Sequence, residues 1–345
     1  MSKPFIDVAA GLILRPDGSL LLGQRPEGKP WSGWWELPGG KIEQGESVLQ
    51  ALTRELNEEL GITVTEATPW VTYTHEYPKN IVRLAFCRVT GWEGEPQGLE
   101  DQSLAWVNPR QPTLDVGPLL PATLPPLRWI RLPERYLITS INTYERLPAY
   151  LDTLSQAVQN GIELVQFREP GSDMTAEQLR EAFAQVLQCC RQYGARCLVN
   201  SAHPENWWAE ADGVHFRAAD ALSRYTAATT SALTDSPADT PRQTKEGDVA
   251  ADVIASSPRL TGVSAHTKEE LHAALALDAD FVVIGHVLDT PSHPDEPGIG
   301  WARFAQLARE AGLPAFAIGG QSPATLTEAQ RHGAHGIAGI RYLAG

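Results

Sequence analysis

The spacing of hydrophobic positions changes near residue 132. Before it, long extended runs dominate. Phe5 to Leu14 is rich in Val, Ile, Leu and Ala, Pro16-Asp17-Gly18 makes a turn, and Leu20 to Gly23 returns, which predicts a hairpin. Further strand-like runs are Trp70 to Thr74, Ile81 to Val89 and Ser103 to Val107, and a helix is predicted near Pro118 to Ile130. From about Ser47 to Leu60 good helix formers run without Gly or Pro, and Gly61 is placed for a left-handed cap. Leu49, Leu52, Leu56 and Leu60 recur at helical spacing as an apolar stripe. A mixed sheet with helices on its faces is the natural packing.

After Leu132-Pro133-Glu134 the pattern becomes short apolar runs separated by helical stretches. The runs are Tyr136–Thr139, Leu164–Phe167, Cys197–Asn200, Gly213–Phe216, Leu260–Ser264, Phe281–Ile284, Ala315–Ile318 and Gly336–Ile340. Eight such runs predict a parallel (β/α)8 barrel. Ala218 to Ser257 is poor in large apolar side chains, which predicts a mobile insertion around 218–257. The expected fold class is therefore α/β. An α/β/α sandwich with a mixed sheet spans residues 1–132, and a TIM-type barrel follows over 136–345.

Composition narrows the partners. A chain of 345 residues suits two domains. A net charge of -14 leaves no basic field for a nucleic-acid polymer and favours a free nucleotide or another small phosphorylated compound. Cys87, Cys189, Cys190 and Cys197 lack metal-ligand spacing, and adjacent cysteines make a poor disulfide, so a reducing cytoplasm is expected. Asp7 interrupts any signal-peptide core, and no apolar run reaches transmembrane length, so no membrane association is expected.

The chemistry concentrates on the first helix. Glu55, Glu58 and Glu59 fall within an arc of roughly 100° beside the apolar stripe. Carboxylates so crowded repel, and a hard divalent cation would relieve them. Gly39-Gly40 allows close backbone approach to a metal or phosphate, and Arg54 lies at ion-pair spacing from Glu58. The run reads Gly40, five residues, Glu46, seven residues, Arg54-Glu55, an aliphatic, any residue, Glu58-Glu59, any residue, Gly61, an aliphatic. It resembles the Nudix hydrolase signature at every fixed position.

Trp35 to Glu43 and Trp92 to Glu100 further resemble the MutT type, which hydrolyses oxidised guanine nucleoside triphosphates. The resemblance implies Mg2+, with Mn2+ as a substitute, held by the Gly40 carbonyl, Glu55, Glu58, Glu59 and Glu100. Glu55 is implied as ligand or base, Glu59 as catalytic, and Arg54 as the group that orients the carboxylate. Arg25, Glu36, Leu37, Pro38, Gly39 and Thr123 are implied to bind substrate. The implied reaction turns 8-oxo-dGTP into 8-oxo-dGMP and pyrophosphate, a mutator-protein role that supports DNA replication and repair. From the residues alone, Glu100 reads equally as a solvated carboxylate and Arg25 as a surface arginine. MutT relatives carry an Asn that pairs with the oxidised purine. Thr123 stands at that place and cannot make an amide's two-pronged contact.

The second domain carries Gln166-Phe-Arg168-Glu169, Ala211-Asp-Gly-Val-His215, Gly262-Val-Ser264-Ala-His266, Gly285-His286-Val287 and Ala317-Ile-Gly-Gly320. These motifs resemble the thiamin phosphate synthase and TenI family. The implied site is Gln166, Arg168, Asn200, Asp220, Ser264, His266, His286, Thr290 and Gly320, with a thiazole or thiamin phosphate as ligand. Pro170, Ser201 and His293 stand where synthases carry a Lys, an Asp and a Lys, which weakens magnesium pyrophosphate binding. In the TenI branch the histidine matching His266 moves a proton, work suited to histidine near neutral pH. His215, His332 and His335 read as structural or exposed. Three functions follow: a MutT-type hydrolase with an appended barrel, a hydrolase of thiamin-related pyrophosphates with a thiazole-handling barrel, and a hydrolase regulated by a non-catalytic ligand-binding barrel.

Overall fold

In a computed structural model, which describes residues 3–234, 259–290 and 294–340, the backbone divides between Leu132 and Pro133 into two units. The first is built on β1 (Phe5–Ile13). It pairs parallel with β6 (Ile81–Glu93) and antiparallel with β4 (Gly39–Lys41), and β6 also pairs with β5 (Thr63–Glu76). A second sheet has the order β3 (Trp35–Glu36), β2 (Leu20–Gln24), β7 (Leu104–Val107). The predicted hairpin is therefore corrected. Leu14 and Leu20 form one isolated bridge across the turn, but the two strands belong to different sheets. Both edges of β1 are already taken, so β2 finds its partners elsewhere.

α1 (Val48–Leu60) starts at a capping box in which Ser47 and Gln50 exchange hydrogen bonds, and Gly61 ends it in a left-handed turn. Its buried face is Ala51, Leu52, Leu56 and Leu60, packed with Ala9, Ile13, Cys87 and Val89. Burying the three leucines contributes about 5–9 kcal/mol. Leu49 does not join them and is 38% exposed. Helical side chains lean toward the N-terminus, so one in the first turn leans off the helix end. The helix expected over 118–130 is shorter, a 3-10 turn at Pro121–Thr123 leading into α2 (Leu124–Trp129). Pro118 and Pro121 have no N–H to extend it backwards.

The second unit is a closed barrel of eight parallel strands, β8 (Arg135–Ile138) to β15 (Gly336–Gly339), with β15 pairing β8. The helices α3 (Leu147–Gln159), α4 (Ala176–Gln192), α5 (Ala218–Thr234), α6 (Lys268–Ala276), α7 (Gly300–Glu310) and α8 (Leu326–Arg331) connect most of the strands. Between β10 (Arg196–Asn200) and β11 (Gly213–Phe216) there is only a 3-10 turn, Glu205–Trp207. α5 corrects the mobile insertion expected from residue 218. Its alanines are strong helix formers, and Ala221 is fully buried, so a narrow stripe is enough to seat it. The rest of that segment, 235–257, lies outside the described residues. Tyr136, Phe281 and Phe316 fill the barrel interior, with ring centroids 5.2–5.9 Å apart.

Candidate active site and barrel cavity

In the first unit, α1 and the Gly39-Gly40 strand face a cleft of about 1050 Å³. Arg54 is its organiser. Nε and Nη2 donate to Glu46 Oε1 and Oε2, both at 2.9 Å, a two-pronged pair. Nη1 donates to Glu55 Oε1 at 2.8 Å and Glu58 Oε2 at 3.3 Å, and Nη2 also donates to the Lys41 carbonyl at 3.0 Å. The guanidinium, helped by the Glu43 N–H, holds the Glu46 carboxyl down at about 2. Glu55 lies directly on Gly40. A Cβ there would fall 2.2 Å from the carboxylate, so any larger residue would displace the Glu55 side chain.

Glu59 Oε2 accepts the Gly39 N–H at 3.1 Å. Burial pushes its carboxyl up to about 7. The Gly39 N–H opposes this, and the charges of Glu100, Glu36 and Glu55 add to it. Glu36 accepts two bonds from Arg25 Nη1, at 2.6 and 2.8 Å, and Glu100 is paired with Lys29. Arg25, Glu36, Leu37, Pro38, Gly39, Gly40, Arg54, Glu55, Glu58, Glu59, Glu100 and Thr123 all line the cleft. Thr123 is only 4% exposed. Oxygen-only donors and mutual repulsion at Glu59 fit a hard divalent cation. Among the described residues, however, no three acidic, His or Cys side chains are gathered into a metal cage. Each carboxylate is turned to Arg54, Arg25, Lys29 or an N–H instead.

Helical spacing assigned no role to Glu46, although it is a fixed position of the signature. Tyr77 and Asn80, to which the sequence pattern assigns no role, also line the cleft from the connection between β5 and β6. Burial lifts the Tyr77 phenol to about 12.

The barrel holds a cavity of about 960 Å³. Gln166, Arg168, Asn200, Ser264, His266, His286, Thr290 and Gly320 line it, together with Arg217 and His215. Asp220 does not line it. Arg217 Nε and Nη2 donate to its two oxygens at 2.7 and 3.0 Å, and Ser201 Oγ donates at 2.6 Å. The carboxyl is thereby held below its usual range. His266 is 56% exposed in its side chain, with Nδ1 3.3 Å from Glu270 Oε2. His286 Nε2 is 3.1 Å from the Glu296 carbonyl. His293 lies outside the described residues. His215, read as structural or exposed, is 2% exposed and faces the cavity.

A family model described as NUDIX domain matches residues 4–130, and one described as Thiamine monophosphate synthase matches 135–231 and 244–343. An 8-oxo-dGTP diphosphatase of Haemophilus influenzae is 43% identical over 122 residues, 35% of this chain and 88% of that protein. The chain belongs to both families. Its first unit is a Nudix hydrolase. A CTP pyrophosphohydrolase of Escherichia coli is 41% identical over 120 residues, 35% of this chain and 87% of that protein. A thiamine-phosphate synthase of Thermosynechococcus vestitus is 31% identical over 218 residues, 63% of this chain. The chain spans about half, 53%, of that relative's length. The Nudix signature therefore coincides with the Arg54 network and its cleft, and the synthase-family motifs with the barrel cavity. Among the described residues no helix is long and apolar enough to cross a membrane.

Proposed function

We propose that the Nudix unit hydrolyses oxidised purine nucleoside triphosphates, turning 8-oxo-dGTP into 8-oxo-dGMP and pyrophosphate. This is nucleotide-pool cleansing in the cytoplasm, in support of DNA replication and repair. The observation that carries it is one nucleotide-sized cleft into which Gly40, Glu55, Glu58, Glu59 and Glu100 all face. The names of the 8-oxo-dGTP diphosphatase relatives support the same substrate class. Mg2+, or Mn2+ in its place, would be held by these five residues. When bound, it would supply charge neutralisation at phosphorus and a stronger water nucleophile. Arg54 holds Glu55 by Oε1, and the carboxylate, lying over Gly40, would receive or orient the attacking water. Glu59 would help hold the cation, its carboxylate oriented by the Gly39 N–H. Arg25, steadied by Glu36, contacts the phosphates. The barrel takes a thiazole or thiamin phosphate.

The fusion to a synthase-family barrel motivates a second reading, in which thiamin-related pyrophosphates are the substrate, and Thr123 permits it. The test is kcat/KM for 8-oxo-dGTP, dGTP, CTP and thiamin diphosphate with magnesium, with Glu55→Gln as blank. Preference for 8-oxo-dGTP supports the proposal. A flat nucleotide profile beaten by thiamin diphosphate overturns it.

A further inference from the structure

Inside the barrel a chain of hydrogen bonds runs through five side chains on five strands and the turn after β10. It starts at a donor that cannot be reversed, the Ala202 backbone N–H, which donates to Asn200 Oδ1 at 3.0 Å. Asn200 Nδ2 therefore faces the next residue and donates to Gln166 Oε1 at 2.7 Å. Gln166 Nε2 then donates to Tyr136 Oη at 3.0 Å. Tyr136 Oη lies 3.2 Å from His215 Nδ1, and His215 Nε2 lies 2.9 Å from Ser264 Oγ. Tyr136, Gln166, Asn200 and His215 are all at most 2% exposed.

The direction propagates. The Tyr136 oxygen already accepts from Gln166, so its hydrogen goes to His215 Nδ1. The reverse arrangement would point a buried phenol hydrogen at nothing and is disfavoured by roughly tenfold or more. Burial keeps the phenol protonated, its affinity for its proton raised well above the usual value. Burial, with the Arg168 charge adding to it, pushes His215 down to about 3, so the ring carries one hydrogen. That hydrogen is on Nε2 and is donated to Ser264 Oγ. The Ser264 hydroxyl hydrogen is left over, and Ser264 lines the cavity. A Cβ on Gly262 would fall 2.6 Å from His215 Nδ1, so the glycine makes room for the ring.

We propose that this chain is a one-way relay that presents the Ser264 hydroxyl to the cavity as a hydrogen-bond donor. The barrel's ligand then meets it with an uncharged acceptor, such as an unprotonated ring nitrogen. The ligand half of the proposal rests on the reading of the barrel as a phosphorylated-heterocycle site. Ser264 is the residue that selects the ligand, and Tyr136 and His215 are positioning residues. The cavity wall also carries the cations Arg168 and Arg217 and the carboxylates Asp289 and Glu296, while Asp220 is paired with Arg217 and does not line it.

Two measurements on the full chain decide it. In the ¹⁵N spectrum of histidine-labelled protein, assigned with His215→Gln, Nδ1 of His215 is expected as unprotonated and Nε2 as protonated. Tyr136→Phe is expected to change that tautomer. Protonated Nδ1 in the unmodified protein overturns the relay. By calorimetry, a thiazole phosphate with a free ring nitrogen is expected to bind about tenfold tighter than its N-methyl thiazolium analogue. Ser264→Ala is expected to erase that ratio, and an unchanged ratio overturns the donor role of Ser264. If neither compound binds, the thiazole reading fails, and the histidine tautomer still decides the relay by itself.

Discussion

The two units hold their polar groups by opposite means. In the Nudix unit, charges are crowded. Arg54 binds Glu46, Glu55 and Glu58 at once, and Glu59 is left with a backbone N–H and carboxylate neighbours that push its proton affinity up. Inside the barrel, five neutral polar side chains are linked end to end from Asn200 to Ser264. A crowded cluster can be reset by a cation or a phosphate, because its energy depends on net charge. A neutral chain keeps its direction only while every link is in place, and it reads a ligand by donor and acceptor.

The contrast can be broken in several places. The largest effect is expected in the charged cluster. Glu59→Gln should lower kcat/KM for triphosphate hydrolysis by about 10²–10⁴-fold, whereas His266→Ala, in the other unit, should leave it unchanged. A loss below tenfold for Glu59→Gln would remove it from the chemistry. Next comes the helix that carries the cluster. Leu56 is fully buried, so Leu56→Ala should cost about 2–5 kcal/mol in urea unfolding of the Nudix unit.

Arg54→Lys keeps the charge but loses the two-pronged grip on Glu46. Rates should fall by roughly 10- to 100-fold with little change in KM. A change confined to KM would mean that Arg54 binds substrate and does not position Glu55.

A further effect separates the units by pH, and it is small for each pH step near neutrality. His215 titrates at about 3 in the folded barrel against 6.5 unperturbed, so below 6.5 the unfolded chain binds the extra proton. Barrel stability should fall as pH drops from 6.5 toward 3, by about 1.4 kcal/mol per pH unit from this group, and His215→Gln should flatten that slope. Glu59 has the opposite sign. Its folded carboxyl, at about 7 against 4.5 unperturbed, binds the proton first, so its contribution grows as pH falls from 7 to 4.5 in metal-free protein. Parallel slopes in the two units would refute the assignment.

Much was legible in the order of residues. The eight barrel strands appear as eight short apolar runs, because a strand buried on both faces has no polar alternation to obscure it. α1, with its Gly61 stop and its carboxylate flank, follows from local propensity and 3.6-residue periodicity. The residues expected at both sites line two cavities, with Asp220 the exception. Other features needed the third dimension. β1 and β2 look like a hairpin until β4 and β6 occupy both edges of β1. Asp220 looks like a ligand until Arg217, three residues before it, folds back on it. Glu46 has no helical neighbour to announce a role, yet it grips Arg54 across eight residues. Tyr136 and His215, 79 residues apart, meet only because the barrel closes. Periodicity records which face a side chain is on, whereas the partner that gives it a direction, a charge or a proton comes from strands that only the closed fold brings together.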